Sequence, residues 1–414
     1  MAETIFSHTY HNGLVLVAER MDGLESAAFT FAVPSGCVDD PPDRSGLSSF
    51  TCEMMLRGAG PRDSRQFIQD LDNLGVERSE SVTDAHTKYS GATVAANLPA
   101  ALAIYADVLC RPHLPADQLE SGRQAMVQEL RAVDDEPAQK VMIELRRDYY
   151  PAPWGRPSQG DLPAVEKTTI DDIRQQFARC YRPNGAIVGV AGRFEWETLK
   201  DTVGQLLGDW QPGKEPDIVV EPATKKYDHV PFEASQTQIG IAYPSVPYRH
   251  PDYYQAWAGV GVLSGGMSAR LFTEVRERRG LCYTVYAVYH TLREMAGVFC
   301  YAGSSAERAQ ETVDVMVGEL VRLGKGIESE ELSRLKARIK SALIMQQESS
   351  SARSAAVTRD WYHLGRVQTL EEINQRIEAL TCESINAYLA EHPPADFTFV
   401  TLGPSELEVP VGVS

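Results

Sequence analysis

The sequence predicts an α+β protein made of two homologous domains, each a mainly antiparallel sheet covered by helices. Three observations carry this expectation. The chain has 414 residues, more than one ordinary core serves and enough for two domains of about 200 residues each. Short Val- and Phe-rich runs bounded by Gly and Pro are interspersed with amphipathic stretches of helical period. The order of these elements then repeats once, at a period too long for a solenoid.

The opening runs GLVLVAER and SAAFTFAVPSG read as strands, followed by the loop CVDDPPDRSG. LSSFTCEMMLRGAG reads as a helix that stops at Gly58. SRQFIQDLDNLG places Phe67, Ile68, Leu71 and Leu74 at helical spacing, with Ser64 as the expected cap and Gly75 as the stop. Strand character returns over residues 86–96, and long helices are expected over 98–109 and 116–133. A Pro/Gly-rich loop, YYPAPWGRPSQG, precedes the helix TIDDIRQQFARCY, with Thr169 as its cap, and the buried-type strand NGAIVGVAG.

QTQIGIAYPSV then echoes AAFTFAVPSG, and TLEEINQRIEALTCESINAYL with DFTFVTLGP echoes TIDDIRQQFARCY with GAIVGVAGRF. The repeat predicts strands grouped into a sheet with helices over one of its faces. The expected limits are an N-terminal domain over 1–210, a linker over 211–229 that mixes Pro, Gly and charge, and a C-terminal domain over 230–414.

Composition narrows function. A formal net charge of −17 opposes a phosphate backbone, so no nucleic acid is expected as a partner. No apolar run reaches the ~18–20 residues of a membrane helix, and no secretory signal is visible at the N-terminus. Seven widely spaced cysteines without a C-x-x-C fit a reducing compartment, so a cytoplasmic location is expected. No histidine pair stands at i, i+4.

Two segments carry chemistry. SGLSSFTCEMMLRGAG resembles the zinc helix of the M16 (pitrilysin/insulinase-type, M16B) zinc metallopeptidases, G-L-A-H-x-x-E-H-M-L-x-K-G-T. Aligned on Gly46, Leu47, Met54 and Gly58, the first zinc histidine falls on Ser49, the catalytic glutamate on Cys52 and the second histidine on Glu53. The inverted H-x-x-E-H signature has become S-F-T-C-E. The family's third ligand, a glutamate, falls on Glu129 and is retained, whereas a supporting glutamate has become Gly122 and a nearby asparagine Ser79. A serine hydroxyl is a poor Zn²⁺ ligand and the water-activating carboxylate is missing. Read without the resemblance, Ser49, Cys52 and Glu53 also fit an ordinary amphipathic helix, a variant Cys/Glu metal site, or a Cys52 nucleophile with no histidine close in sequence.

The second segment, VLSGGMSARLFTEVRERRGLCYTVYAVYH, is similar to the family's G-G-x-x-S-R-L…R…G-L-x-Y pattern. Ser268 is expected to cap a helix after the Gly265–Gly266 bend, with Leu271 and Val275 on one face and Gly280 as its stop. The strand that follows should set Leu281, Tyr283, Val285, Ala287 and Tyr289 on one face. Arg276 and Tyr283 fall on the family's substrate-binding Arg/Tyr pair. Without the resemblance they also fit a surface arginine among three and a tyrosine packed on a sheet. The likeness runs from about Gly13 to Pro404, including APWGRPSQG and FARCYRPNGAIVGVAG.

The resemblance implies the mitochondrial-processing-peptidase-like (LuxS-like metallohydrolase) fold and a zinc-lacking subunit of a heterodimeric peptidase. Such a chain is inactive alone and binds no metal or cofactor itself. It supplies Arg276 and Tyr283 to a partner that bears H-x-x-E-H and the zinc, for hydrolysis of peptides or unfolded polypeptides. A structural scaffold without a peptidase role is the alternative, and a self-sufficient hydrolase with an altered site is a weaker third.

Overall fold

Strands β1 (Thr4–Thr9), β2 (Val15–Arg20), β3 (Ser26–Val33), β6 (Glu77–Val82), β7 (Thr87–Val94) and β8 (Ile187–Gly192) form a six-stranded sheet in the order β1-β2-β8-β3-β7-β6. Only β2 and β8 run parallel. The remaining two strands of this half, β4 (Gly58–Ala59) and β5 (Arg62–Asp63), make a separate short hairpin. The computed structural model describes residues 4–223, 225–346 and 348–409. The outermost residues of the expected domains, 1–3 and 410–414, and Thr224 of the expected linker lie outside them.

This half also carries α1 (Leu47–Met55), α2 (Ser64–Asn73), α3 (Leu98–Cys110), α4 (Leu119–Asp134), α5 (Pro137–Tyr149), α6 (Leu162–Lys167), α7 (Ile170–Cys180) and α8 (Trp196–Leu207). Side chains of α1, α2, α3, α7 and α8 join those of β2, β3, β7 and β8 in one apolar core, with Phe29, Phe31, Phe50, Phe67, Tyr89 and Tyr105 among its larger members. The caps are local. Thr169 caps α7 as expected, in a capping box with Asp172. For α2 the cap is Asp63, one residue before the expected Ser64, because its carboxylate accepts Gln66 N–H at 2.8 Å.

The second half repeats the pattern with β9 (Tyr227–Pro231), β10 (Gln236–Ser245), β11 (Cys282–Thr291), β12 (Ala296–Ser305) and β13 (Thr398–Gly403). Their order is β11-β12-β10-β13-β9, and only β13 and β9 run parallel. Read from its other edge, β9-β13-β10-β12-β11, this sheet matches β2-β8-β3-β7-β6 strand for strand in order and in direction. The repeat expected from sequence is therefore present in the topology. The helices are α9 (Tyr253–Ser264), α10 (Ala309–Gly324), α11 (Ser329–Gln346), α12 (Ser350–Leu364), α13 (Leu370–Glu378) and α14 (Cys382–Glu391).

Each sheet is covered on both faces, not on one as the repeat predicts, and the second cover comes from the other half of the sequence. The chain divides into a first unit of 1–132, 156–220 and 344–369 and a second of 133–155, 221–343 and 370–414. Thus α12 lies on β2, β3, β7 and β8 in the first unit, and α5 lies on β10, β12 and β13 in the second. Glycines make room for both helices: a Cβ on Gly189 of β8 would sit 1.9 Å from the Thr358 hydroxyl, and one on Gly297 of β12 would sit 2.6 Å from the Tyr149 ring. In the first unit a buried ion pair fixes α12, with Arg353 Nη2 2.6 Å from Glu19 Oε2 on β2.

Candidate functional site

In the first unit, α1 starts after Gly46, whose φ of +91° a side chain would strain. The buried Asp40 carboxylate organises this start, accepting the N–H groups of Gly46 and Ser48 at 2.8 Å each and the Ser48 hydroxyl at 2.7 Å. Next along the helix, Ser49 and Glu53 of the degenerate motif each have a partner within the unit. Ser49 donates its hydroxyl to the Ser158 carbonyl at 2.6 Å. Cys52 is buried at 6% exposure. Burial pushes its thiol up to about 12, so it is not thiolate at neutral pH. Glu53 accepts Arg57 Nη2 at 2.7 Å.

Glu129 lies on α4, and its carboxyl is pushed above the usual range, first by partial desolvation and then by the Glu53 charge. The Glu53 charge is thus near enough to be felt at Glu129. Where the supporting glutamate is absent, α4 sits close against α1: a Cβ on Gly122 would lie 2.7 Å from Met54 Sδ and 3.1 Å from the Phe50 ring. This donor set does not fit a tetrahedral zinc. A hydroxyl engaged with a carbonyl, a protonated buried thiol and a carboxylate already paired to a guanidinium leave no three ready ligands. Among the described residues, no group of three or more His, Cys, Asp or Glu side chains could hold a metal ion.

In the second unit the segment after Gly265–Gly266 differs from the expected helix. Residues Phe272–Glu277 wind as a π-helix, and no hydrogen bond from Ser268 caps the segment. Wider winding of this kind is rare and is frequent at functional sites. Leu271 and Val275 are buried, as expected. Gly280, at φ +58°, closes the turn and donates its N–H to the Arg276 carbonyl at 2.9 Å.

The strand alternation also breaks where it matters. Pairing of β11 with β12 slips between Cys282 and Thr284, so Tyr283 occupies a β-bulge at an edge strand. The bulge turns Tyr283 to 79% exposure, while Leu281, Val285 and Ala287 remain on the buried face.

These two irregularities bring Arg276 and Tyr283 together. The Arg276 guanidinium carbon lies 4.7 Å from the Tyr283 ring centroid and 4.8 Å from that of Phe272, a sandwich between two aromatic faces. The Arg276 side chain makes no hydrogen bond or ion pair with any described residue. Its neighbours differ: Arg278 and Arg279 both pair with Glu274, at 2.5 and 2.7 Å. Of Arg276, Arg278 and Arg279, only Arg276 leaves its guanidinium N–H groups without a hydrogen bond or ion pair among the described residues. A stacked guanidinium with free edges and an exposed phenol are donors suited to a carbonyl or an oxyanion. Phe272 and Glu274 were not singled out from sequence, although Phe272 stands four residues before Arg276, at stacking distance along a helix.

Comparison with known proteins supplies a frame. Residues 15–157 match the model described as Insulinase (Peptidase family M16), and residues 167–339 match the Peptidase M16 inactive domain. An uncharacterized zinc protease of Bacillus subtilis is 25% identical over 407 residues, covering 96% of this chain and 98% of that protein. One from Mycobacterium tuberculosis is 27% identical over 414 residues, covering 96% and 92%. The crystal structure of a peptidase M16 inactive domain from Pseudomonas fluorescens superposes with a TM-score of 0.88 at 21% identity, covering 98% of this chain and all of that one.

Proposed function

The chain belongs to the M16 peptidase family, and we propose that it is a zinc-lacking subunit of a heterodimeric peptidase of that family. In this reading Arg276 and Tyr283 hold the backbone of a peptide substrate, and a partner subunit with an intact H-x-x-E-H motif supplies the zinc and the water-activating carboxylate. The chain holds no catalytic zinc of its own and does not cleave peptides alone.

One contrast carries the reading. Two motif positions of the first unit are occupied by internal partners, Ser49 with Ser158 and Glu53 with Arg57. The pair in the second unit is displayed, with Arg276 stacked and otherwise unpaired. A purely structural role gives no reason to hold a guanidinium between two rings while leaving its hydrogen-bonding edges free. The substrate role of this chain is electrostatic: five N–H donors on one planar group and one phenol, aimed at a carbonyl oxygen that gains charge during attack. The setting is the cytoplasm, in keeping with seven cysteines that are all free.

The test is an affinity pull-down of the tagged chain from its native cytosol. A stoichiometric partner of similar size bearing H-x-x-E-H is the expected result. Recovery of the chain alone, or only as a homodimer, contradicts the heterodimer and favours a scaffold.

A further inference from the structure

The second unit contains a cavity of about 530 Å³ that the proposed function does not use. It lies between the Gly265–Gly266 bend and helix α11, with Ser268, Leu335, Arg334 and Arg338 on its walls. Val262 and the exposed Met267 add apolar surface. Arg338 lies directly on the bend: a Cβ on Gly265 would sit 2.6 Å from its Nη1. That Cβ would also meet the Gly261 carbonyl oxygen at 2.1 Å, so both the bend and the guanidinium beside it depend on glycine here.

The charges around the cavity do not cancel. Glu331 also lines it, but both its oxygens are bound by Arg270 at 2.7 Å, and Oε2 accepts Glu328 N–H as well. Arg334 has only Glu330, 3.6 Å away and 84% exposed, a contact that solvent screens. The Arg338 side chain has no hydrogen bond or ion pair with any described residue, and desolvation without a counter-charge pulls its pKa below the ordinary value. Two guanidinium groups one helical turn apart thus face a cavity with apolar walls, on a chain whose formal net charge is −17.

We infer that this cavity binds a carboxylate joined to an apolar group, as at the C-terminus of a peptide that ends in an aliphatic residue. Arg338 and Arg334 hold the carboxylate, the Ser268 hydroxyl donates to it, and Leu335, Val262 and Met267 receive the side chain. The planar fork of a guanidinium matches the two oxygens of a carboxylate, and the apolar walls favour an amphiphilic ligand over a compact, fully hydrated anion. The site stands on the second unit by itself, so it does not depend on a partner chain.

The experiment titrates the isolated chain with a fluorescently labelled short peptide ending in leucine, as the free acid and as the C-terminal amide, followed by anisotropy. The free acid should bind about tenfold or more tightly than the amide, the scale of one charge-assisted bond pair. Arg338→Gln should lose about as much, and Arg334→Gln should weaken binding too, with unchanged circular dichroism in both variants. Competition by hexanoate as strong as by the peptide acid would assign the same carboxylate chemistry to a fatty acid. Equal binding of acid and amide, no loss in Arg338→Gln, or competition by inorganic phosphate at the same concentration as the peptide acid overturns the inference.

Discussion

At the scale of single residues, the candidate site depends on which arginine is free. Arg278 and Arg279 are spent on Glu274, and Arg276 is left stacked between Phe272 and Tyr283. Phe272 touches no substrate in this account; it is a positioning residue. Phe272→Leu should therefore lower turnover of the assembled peptidase several-fold while the complex still forms, and Phe272→Tyr should restore it, because a ring-cation contact of this kind contributes about 0.5–1 kcal/mol. Equal turnover for the leucine variant and the native chain would remove that role. A second residue sets a pH dependence. His290 is held neutral inside the second unit, its Nδ1 2.9 Å from the Tyr150 hydroxyl. Burial, and then the Arg146 charge, lower its pKa to about 3. The unfolded chain takes up that proton near its ordinary value, so this contribution is present above about 6.5 and is lost as pH falls toward 3, by up to ~1.4 kcal/mol per pH unit. The stability gap between the native chain and His290→Gln, measured by denaturant unfolding, should narrow from pH 7 to pH 5; a constant gap argues against it.

At the scale of elements, the sequence was most legible where a local rule decides and least where tertiary packing does. Thr169 as a cap, Gly75 and Gly280 as stops, and the buried pair Leu271 and Val275 all follow from short-range rules. The bulge at Tyr283 and the π-helical turn do not, since each is set by pairing with β12 and by closure at Gly280. The two-sided cover of the sheets did leave a trace. SAAFTFAV in β3 and IVGVAG in β8 are continuous apolar runs without alternation, which is the mark of strands buried on both faces. What the runs cannot name is the covering helix, because α12 and α5 come from distant sequence. Gly189→Ala tests that packing. Its Cβ would meet Thr358 Oγ1 at 1.9 Å and the Ser354 carbonyl at 2.6 Å, so α12 must shift. The expected cost is about 1–3 kcal/mol, read as a lowered Tm; an unchanged Tm would mean that α12 is not seated on β8.

At the scale of the molecule, the resemblance read from two motifs placed the chain in its family, and the matching strand orders show the same duplication in the backbone. The motif residues themselves were legible in type but not in state. Nothing in the sequence said that Ser49 and Glu53 would be engaged by Ser158 and Arg57, or that Arg276 alone would stay open. Because segment 344–369 belongs to the first unit, the fragment 1–210 lacks α12 and bares one face of its sheet, together with the buried Glu19 that Arg353 neutralises. It should fail to give a cooperative unfolding transition alone and gain one when co-expressed with 211–414; a fragment that unfolds cooperatively by itself contradicts the exchange of helices. The central claim, that this chain lends Arg276 to a partner's zinc site, is tested most directly by peptide turnover of the reconstituted complex with native chain and with Arg276→Ala. The account predicts a fall of about 10²–10³ with assembly intact, the usual cost of one lost oxyanion donor; undiminished turnover by a fully assembled Arg276→Ala complex would contradict it.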